Sequence, residues 1–266
     1  QNRIGIRMDS SLSTAASRSS DIFSQRARTA SRTQSRLPSY PTRKYDITYL
    51  TPNGQVVDLA QFARIHPTFD SAFSVLSHSA VLQTSRGHAT VEDVLPGDQI
   101  RMSDGNFDTL LWLGSIAIDP NTSNTTKGNT TLTRITGDTF GFNRPAPDLV
   151  LGSAARLLHR ASGVRKLTGC DAAFIPAADF VDGNNILALQ PTKSVRLYQL
   201  GFATQRSLSV NGIEVETLHP GTAFALGLRG EEVAEYMSLF PHKSSLEDFG
   251  LMENPRLRLR DLELIG

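Results

Sequence analysis

Short runs of β-prone residues, separated by turn signals, follow one another from residue 80 onwards. The turn signals include Pro96-Gly97-Asp98, Asp104-Gly105-Asn106 and Asn211-Gly212. Short strands at such close spacing are typical of an all-β domain, so we predict an all-β fold with a few short helices. The runs predicted as strands are Val81–Thr84, Gln99–Met102, Thr109–Ile118, Thr130–Ile135, Leu149–Leu151, Ala172–Pro176, Ile186–Leu189, Val195–Leu200 and Leu208–Val210.

Residues 45–73 are predicted to form a β-hairpin followed by short helical segments. The hairpin strands are residues 45–50 and 55–59, with a Thr-Pro-Asn-Gly turn between them. Residues 60–65 are predicted as a short helix, and residues 68–76 as a second one with Phe69 and Phe73 near one face.

Residues 74–266 are predicted to form the main β domain. Its later part contains an amphipathic helix that begins near Glu231 and Glu232, because acidic side chains favour a helix N-terminus. The segment from residue 255 to the end is predicted as a closing strand with a buried leucine face. The leucines that alternate in it are Leu257, Leu259, Leu262 and Leu264.

Residues 1–44 form a basic arm with nine basic and two acidic side chains, whereas the remaining residues carry 18 basic and 24 acidic ones. The arm is rich in Ser, Thr and Ala and has too few large apolar side chains to fold by itself. We therefore predict an extended arm that docks on a protein partner of an assembly. The arginines expected to contact that partner are Arg18, Arg26, Arg28, Arg32 and Arg36.

Several classes of site are not supported by the sequence. Cys170 is the single cysteine, so no internal disulfide or multi-thiolate metal site is expected, and the six histidines lack metal-ligand spacing. We predict neither a metal nor a cofactor. No apolar run approaches the roughly 18 residues of a membrane span, and no secretory signal is visible. A cytoplasmic location, or a place in a large bacterial assembly, is therefore expected.

A series of short motifs occurs in a specific order and spacing. They read Thr84-Ser-Arg-Gly87, Val91-Glu-Asp-Val-Leu-Pro-Gly-Asp98, Leu111-Trp-Leu-Gly114, Asp148-Leu-Val-Leu151, Phe174-Ile-Pro-Ala177, Val181-Asp-Gly183, Leu218-His-Pro-Gly221 and a closing Pro255-Arg-Leu-Arg-Leu. From about residue 65 to the end, the chain resembles bacterial Hint (Hedgehog/intein) domains, and more narrowly a subgroup common in alphaproteobacterial proteins. The resemblance implies a compact, horseshoe-like all-β body.

The resemblance also implies acyl-transfer chemistry. In that family a Cys or Ser at the first position attacks the preceding peptide carbonyl, and a histidine in a Thr-x-x-His element protonates the leaving amide nitrogen. A later Asp and His assist proton transfer, and splicing further needs a terminal His-Asn. Each step depends on a specific atom, so each position can be compared with this sequence.

The corresponding positions of this chain lack the required groups. The nucleophile position falls on Val75, the histidine position on Ala155, and the later Asp and His positions on Ala203 and Gln205. The sequence ends Glu-Leu-Ile-Gly, without His-Asn. We therefore assign no catalytic residue. His219 is expected to be a hydrogen-bonded residue of a strand-to-helix corner, outside the acyl-transfer centre.

Three hypotheses for function follow. The first is a non-catalytic Hint-fold structural or interaction protein, docked into a larger assembly through its basic arm. The second is a self-cleaving module that uses Ser74 or Ser77 as nucleophile, with His78 or His159 as proton donor. The third is nucleic-acid binding by the arm, since Arg28, Arg32 and Arg36 would share one helical face. Only Phe23 is available for stacking among these arginines and the body is acidic, so the third has less support.

Overall fold

The computed structural model describes residues 40–120 and 130–264, and within them the fold is all-β, as predicted. The strands form two antiparallel sheets. In the first sheet they lie in the order β13-β9-β10-β3-β14-β8-β1-β2. Its strands are β1 (Thr42–Leu50), β2 (Val56–Arg64), β3 (Leu76–Ser77), β8 (Trp112–Ile118), β9 (Leu132–Ile135), β10 (Leu149–Leu151), β13 (Ile186–Leu189) and β14 (Val195–Gly201).

The second sheet has the order β12-β11-β16-β15-β4-β6-β7, with β5 paired to β4. Its strands are β4 (Val81–Thr84), β5 (Gly87–Thr90), β6 (Gln99–Arg101), β7 (Phe107–Thr109), β11 (Arg156–His159), β12 (Ala173–Pro176), β15 (Ser207–Val210) and β16 (Ile213–Glu216). Strands β7 and β8 correspond to the single predicted strand Thr109–Ile118. The chain leaves the second sheet after Thr109 and enters the first at Trp112, so the run is divided between two sheets.

The helices of the described residues are short. They are α1 (Pro67–Ser71), α2 (Ser162–Thr168), α3 (Ala223–Leu226), α4 (Glu231–Met237) and α5 (Leu259–Glu263), with 3₁₀ turns at Ala177–Phe180 and Leu246–Phe249. Helix α4 confirms the amphipathic helix predicted from Glu231 and Glu232, which lie in its first turn. None of these helices has the length and apolar character that crossing a bilayer requires.

The predicted hairpin forms, but its second strand is longer than expected. Strands β1 and β2 pair along nine residues each, from Thr42 opposite Arg64 to Leu50 opposite Val56. The prediction of a helix over residues 60–65 is therefore wrong, because most of these residues belong to β2. The long partner strand offers backbone hydrogen bonds that outweigh the helix propensity of Ala60 and Ala63.

The segment after the hairpin carries the chain into the centre of the first sheet. Helix α1 ends at Ser71, and both Phe69 and Phe73 are fully buried. Strand β3 then pairs with β10 on one side and β14 on the other. A helix over all of residues 68–76 is thus only partly found, because Leu76 pairs within the sheet.

The region between α1 and α4 is filled by an aromatic cluster. Phe73 and Trp112 have ring centroids 5.2 Å apart, and Phe240 lies 5.3 Å from Trp112. The Trp112 indole Nε1 donates to the Leu239 carbonyl oxygen at 3.0 Å. Gly114 allows this packing, because a Cβ atom there would lie 2.2 Å from the Trp112 ring.

The predicted closing strand is not formed. Leu259–Glu263 is helix α5, and the nearest strand-like contact is an isolated bridge between Phe174 and Arg256. Leu262 is buried against Val164, whereas Leu264 is 85% exposed, so the leucines do not share one buried face. Strand β1 begins at Thr42, just before the end of the predicted basic arm. The three-part domain division stays a prediction.

Candidate functional site

A cavity of about 490 Å³ lies where β3, β14 and the segments beside β11 and β16 meet. Its wall includes Val75 and Ala154 on one side and His219 on another. Helices α1, α3 and α4 supply further lining residues, including Ser71, Leu226 and Tyr236. Cavities of this size hold ligands of a few residues or a small organic molecule.

Val75 is the residue that the sequence places at the nucleophile position, and it lies at the entrance to β3. Its side chain is 3% exposed and packs with the core while also contributing to the cavity wall. Its amide nitrogen donates to the Tyr198 carbonyl oxygen at 3.3 Å, and its carbonyl oxygen accepts from Gly152 N at 2.8 Å. The backbone of Val75 is therefore held on both sides, and its side chain offers no nucleophilic atom.

The neighbouring serines use their hydroxyl groups within the backbone network. Ser74 is 1% exposed, and its Oγ donates to the Asp70 carbonyl oxygen at 2.7 Å. Ser77 Oγ donates to the Val150 carbonyl oxygen at 2.8 Å. Neither hydroxyl is paired with a base that would accept its proton.

The chain segment before Ala155 is hydrogen-bonded to the segment that contains Val75. Ala154 N donates to the Ser74 carbonyl oxygen at 3.0 Å, next to the Gly152–Val75 bond. Ala155, which stands at the histidine position, is 1% exposed. Val75 and Ala155 belong to the same buried hydrophobic cluster, and both side chains are apolar.

Ala203 and Gln205, which stand at the later Asp and His positions of the family, take part in structural hydrogen bonds. Gln205 is 2% exposed, its Nε2 donates to Glu216 Oε1, and its Oε1 accepts from Glu253 N at 2.7 Å. Ala203 is exposed, and its carbonyl oxygen accepts from Lys243 Nζ at 2.7 Å. The amide of Gln205 is neutral at every accessible pH, so it cannot act as an acid or a base.

His219 lies in a corner between β16 and α3, as predicted. It lines the same cavity as Val75 and Ala154. Its Nδ1 accepts from Gly221 N at 2.9 Å, and its Nε2 bonds the Gly250 carbonyl oxygen at 3.1 Å. Partial burial lowers the pKa of His219, and both ring nitrogens are engaged with the backbone. It therefore holds the corner as a neutral imidazole.

The two proposed proton donors of the self-cleavage hypothesis lie elsewhere. His78 is largely exposed, with Nε2 3.1 Å from Glu92 Oε1 and Nδ1 2.6 Å from Ser79 Oγ. His159 lies at the end of β11 and lines a different cavity, where its ring contacts Phe180 at a centroid distance of 5.6 Å. Neither histidine lines the cavity that contains Val75.

Comparison with known families agrees with this geometry. Residues 75–222, more than half of the chain, match the family model described as the Hint domain. The chain belongs to the Hint domain family. The match begins at Val75, the residue assigned to the nucleophile position, and ends just beyond the His219 corner.

Solved inteins are similar to this Hint domain at low sequence identity. A splice-inactive variant of the AceL NrdHF class 3 split intein is 10% identical, with a TM-score of 0.37, and the match covers 55% of this chain and 98% of that one. The MchDnaB-1 intein is 17% identical, with a TM-score of 0.31, and the match covers 53% and 98% respectively. A comparison with curated proteins gave no match.

The cavity of this Hint domain contains a charged cluster that sequence reasoning did not single out. Glu216 is 4% exposed, and its Oε1 accepts from Arg256 Nε at 2.8 Å. Arg156 Nη1 lies 3.6 Å from Glu216 Oε2. Arg256 Nη2 also donates to the His219 carbonyl oxygen at 2.7 Å, which ties the cluster to the corner. A local signal was the position of Glu216, two residues before the corner motif Leu218-His-Pro-Gly221.

The remaining site predictions fall outside the described residues. Arg18, Arg26, Arg28, Arg32 and Arg36, predicted to contact a partner, all lie in residues 1–39. Among residues 40–120 and 130–264, no group of three or more His, Cys, Asp or Glu side chains is arranged to hold a metal ion.

Proposed function

We propose that this protein is a non-catalytic Hint domain that serves as a structural or interaction component of a larger assembly. The observation that carries the proposal is the apolar character of two buried residues of one core cluster: Val75 stands at the nucleophile position and Ala155 at the position of the proton donor. Acyl transfer needs both an attacking heteroatom and an acid for the leaving nitrogen. Valine and alanine supply neither.

The surrounding hydrogen bonds support the same reading. The hydroxyl groups of Ser74 and Ser77 donate to carbonyl oxygens, and His78 and His159 lie away from the cavity. A serine mechanism would have to break these bonds and move a histidine into the cavity. The sheet positions of Ser77 and His159 oppose such a movement, because both residues lie in paired strands.

The basic arm is the proposed means of docking. Its excess of arginine over acidic residues would complement an acidic surface on a partner subunit. Cross-linking of the full-length protein in its native cells, followed by mass spectrometry, tests this part. Cross-links between residues 1–44 and one protein partner support docking, whereas cross-links to nucleic acid alone contradict it.

The loss of catalysis is tested on the intact protein by mass spectrometry. The full-length chain is incubated with hydroxylamine for a day, since hydroxylamine cleaves the oxygen ester that a serine nucleophile would form. We expect the mass to remain that of the intact chain. Cleavage before Ser74, Val75 or Ser77 would overturn the proposal, and S74A and S77A variants would then identify the nucleophile.

A further inference from the structure

The wall of the cavity that Val75 lines contains two hydrogen-bond donors that have no acceptor among the described residues. Tyr236 is 1% exposed, lines the cavity, and its hydroxyl makes no hydrogen bond to another described residue. Gln199 is 6% exposed and also lines the cavity. Its Oε1 accepts from Leu200 N at 2.9 Å, whereas its Nε2 has no partner within residues 40–120 and 130–264. Neither of these two atoms is among the fully enclosed groups that lack a partner, so both reach the open space of the cavity, where a ligand can accept from them.

The charges of the cavity wall do not balance. Two guanidinium groups, those of Arg156 and Arg256, face the single carboxylate of Glu216, and His219 is neutral. Arg256 is bound closely to Glu216, but the contact of Arg156 is long, at 3.6 Å. The Arg156 guanidinium has no closer ionic contact than this one among the described residues. One positive charge therefore remains in the wall of the cavity that Tyr236 and Gln199 also line.

We propose that this cavity binds the carboxylate group of a ligand, held by Arg156 with Tyr236 and Gln199 as further donors. A carboxylate accepts hydrogen bonds only, and its planar fork matches a guanidinium group. A single negative charge compensates the excess charge, whereas a dianion such as phosphate meets the buried carboxylate of Glu216. The apolar wall of Val75 and Leu226 fits a ligand with an apolar body beside its carboxylate.

The proposal deepens the proposed function, because a cavity without acyl-transfer chemistry can hold such a ligand without reacting with it. The same chemistry is present at the free C-terminus of a peptide and in a small organic acid. Isothermal titration of the full-length protein distinguishes these sources with N-acetyl-leucine as the peptide-like probe and hexanoate as the organic acid. N-acetyl-leucinamide and inorganic phosphate are the matched negative probes.

We expect N-acetyl-leucine or hexanoate to bind and the amide and phosphate to bind at least about tenfold more weakly. Tighter binding of N-acetyl-leucine than of hexanoate identifies a peptide terminus, and the reverse identifies an organic acid. No binding of either carboxylate, or tighter binding of phosphate, overturns the proposal. The mass of the protein is measured after each titration. An unchanged mass shows that the chain has not cleaved itself, so ligand binding and self-cleavage are tested independently.

Three variants shift the affinity in different directions. R156Q removes the free guanidinium and should raise the Kd about tenfold, and Y236F should raise it about fivefold. E216Q removes the competing carboxylate and should lower the Kd. R165Q is the control, because Arg165 is 71% exposed, pairs with Asp171 and does not line this cavity. Equal affinities of R156Q, Y236F and R165Q would overturn the proposal.

Thermal unfolding distinguishes a variant that has lost only ligand binding from a variant that has lost its folded structure. Y236F removes a buried hydroxyl that has no partner among the described residues, so the ligand-free variant should melt at or above the wild-type temperature. A lower affinity with an unchanged melting temperature therefore assigns the hydroxyl to the ligand. Should E216Q fail to fold, R156Q and Y236F still decide the outcome.

Discussion

Ala154 and Ser74 are joined by a backbone hydrogen bond in which Ala154 N donates to the Ser74 carbonyl oxygen at 3.0 Å. This carbonyl is the group that a nucleophile at position 75 would attack. An N–H donor aimed at it would stabilise the developing oxyanion during acyl transfer. The backbone thus provides an N–H donor at this carbonyl, and the adjacent residues Val75 and Ala155 carry apolar side chains.

Restoring the nucleophile alone should not restore cleavage. V75C places a thiol next to the Ser74 carbonyl with little change in volume. Ala155 still provides no acid for the leaving nitrogen, and general acid catalysis contributes roughly 10²–10⁴-fold to rates of this kind. We expect the V75C protein to remain largely intact after a day with hydroxylamine.

The double variant V75C/A155H provides the comparison for this experiment. Its cleavage between residues 74 and 75 should exceed that of V75C, provided that circular dichroism shows a folded β domain. Rapid cleavage of V75C by itself would contradict the prediction, because it would show that the Ala154 N–H donor is sufficient.

Gly152 is expected to be indispensable for bringing the two segments together. A Cβ atom at this position would lie 2.3 Å from the Ser74 carbonyl oxygen, which is backbone and cannot rotate away. We expect G152A to lower the free energy of unfolding by about 3 kcal/mol, measured in urea. G137A is the control, because its nearest atom is Asp148 Oδ1 at 3.6 Å. Similar losses in both variants would contradict the role of Gly152.

The strands were the most predictable part of this molecule. Val81–Thr84, Leu149–Leu151 and Ile186–Leu189 have the bounds predicted from sequence, because each is a short apolar run flanked by turn residues. Strands without that signature were missed, as in the case of Arg156–His159. Residues 60–65 were predicted wrongly because their conformation is set by pairing with β1, a tertiary interaction that local propensity does not contain.

The charged cluster could not be predicted for a related reason. Arg156, Glu216 and Arg256 are far apart in sequence, and no local pattern connects them. The register that pairs Leu157 with Val215 also sets Arg156 opposite Glu216 on neighbouring strands. The assignment of Val75 and Ala155 to family positions stays a prediction from sequence motifs, whereas the placing of Arg156 and Glu216 in the cavity wall depends on the register of the second sheet.

Asp70 is expected to anchor the segment that leads to Val75. It is 2% exposed, accepts from Tyr45 Oη at 2.8 Å, and lies 3.0 Å from Arg43 Nη1. D70N leaves Arg43 without this counter-charge, and losing one partner of a buried ion pair costs about 3 kcal/mol or more. Urea unfolding should show this loss, whereas D58N, at an exposed position, should change stability by less than about 0.5 kcal/mol. Equal effects would contradict the assignment.

His242 should make the stability of the domain depend on pH. Its ring stacks on Trp112 with centroids 6.0 Å apart, and both ring nitrogens are buried without a hydrogen bond to a described residue. Burial, helped by the nearby charge of Lys243, lowers the pKa of His242 from 6.5 to about 3. Below pH 6.5 the unfolded chain therefore takes up a proton that the folded chain does not.

The free energy of unfolding is thus unaffected by the titration of His242 above pH 6.5, and it decreases progressively as the pH falls from 6.5 towards 3. Between pH 7.5 and 5, urea unfolding should show a loss of about 2 kcal/mol that depends on His242. H242F should remove this part of the pH dependence, whereas H88Q, at an exposed position, should retain it. His219 contributes in the same direction, because its pKa is also lowered, so H242F is compared with the wild type at each pH. Parallel pH profiles for H242F and the wild type would show that His242 is solvated in the folded state.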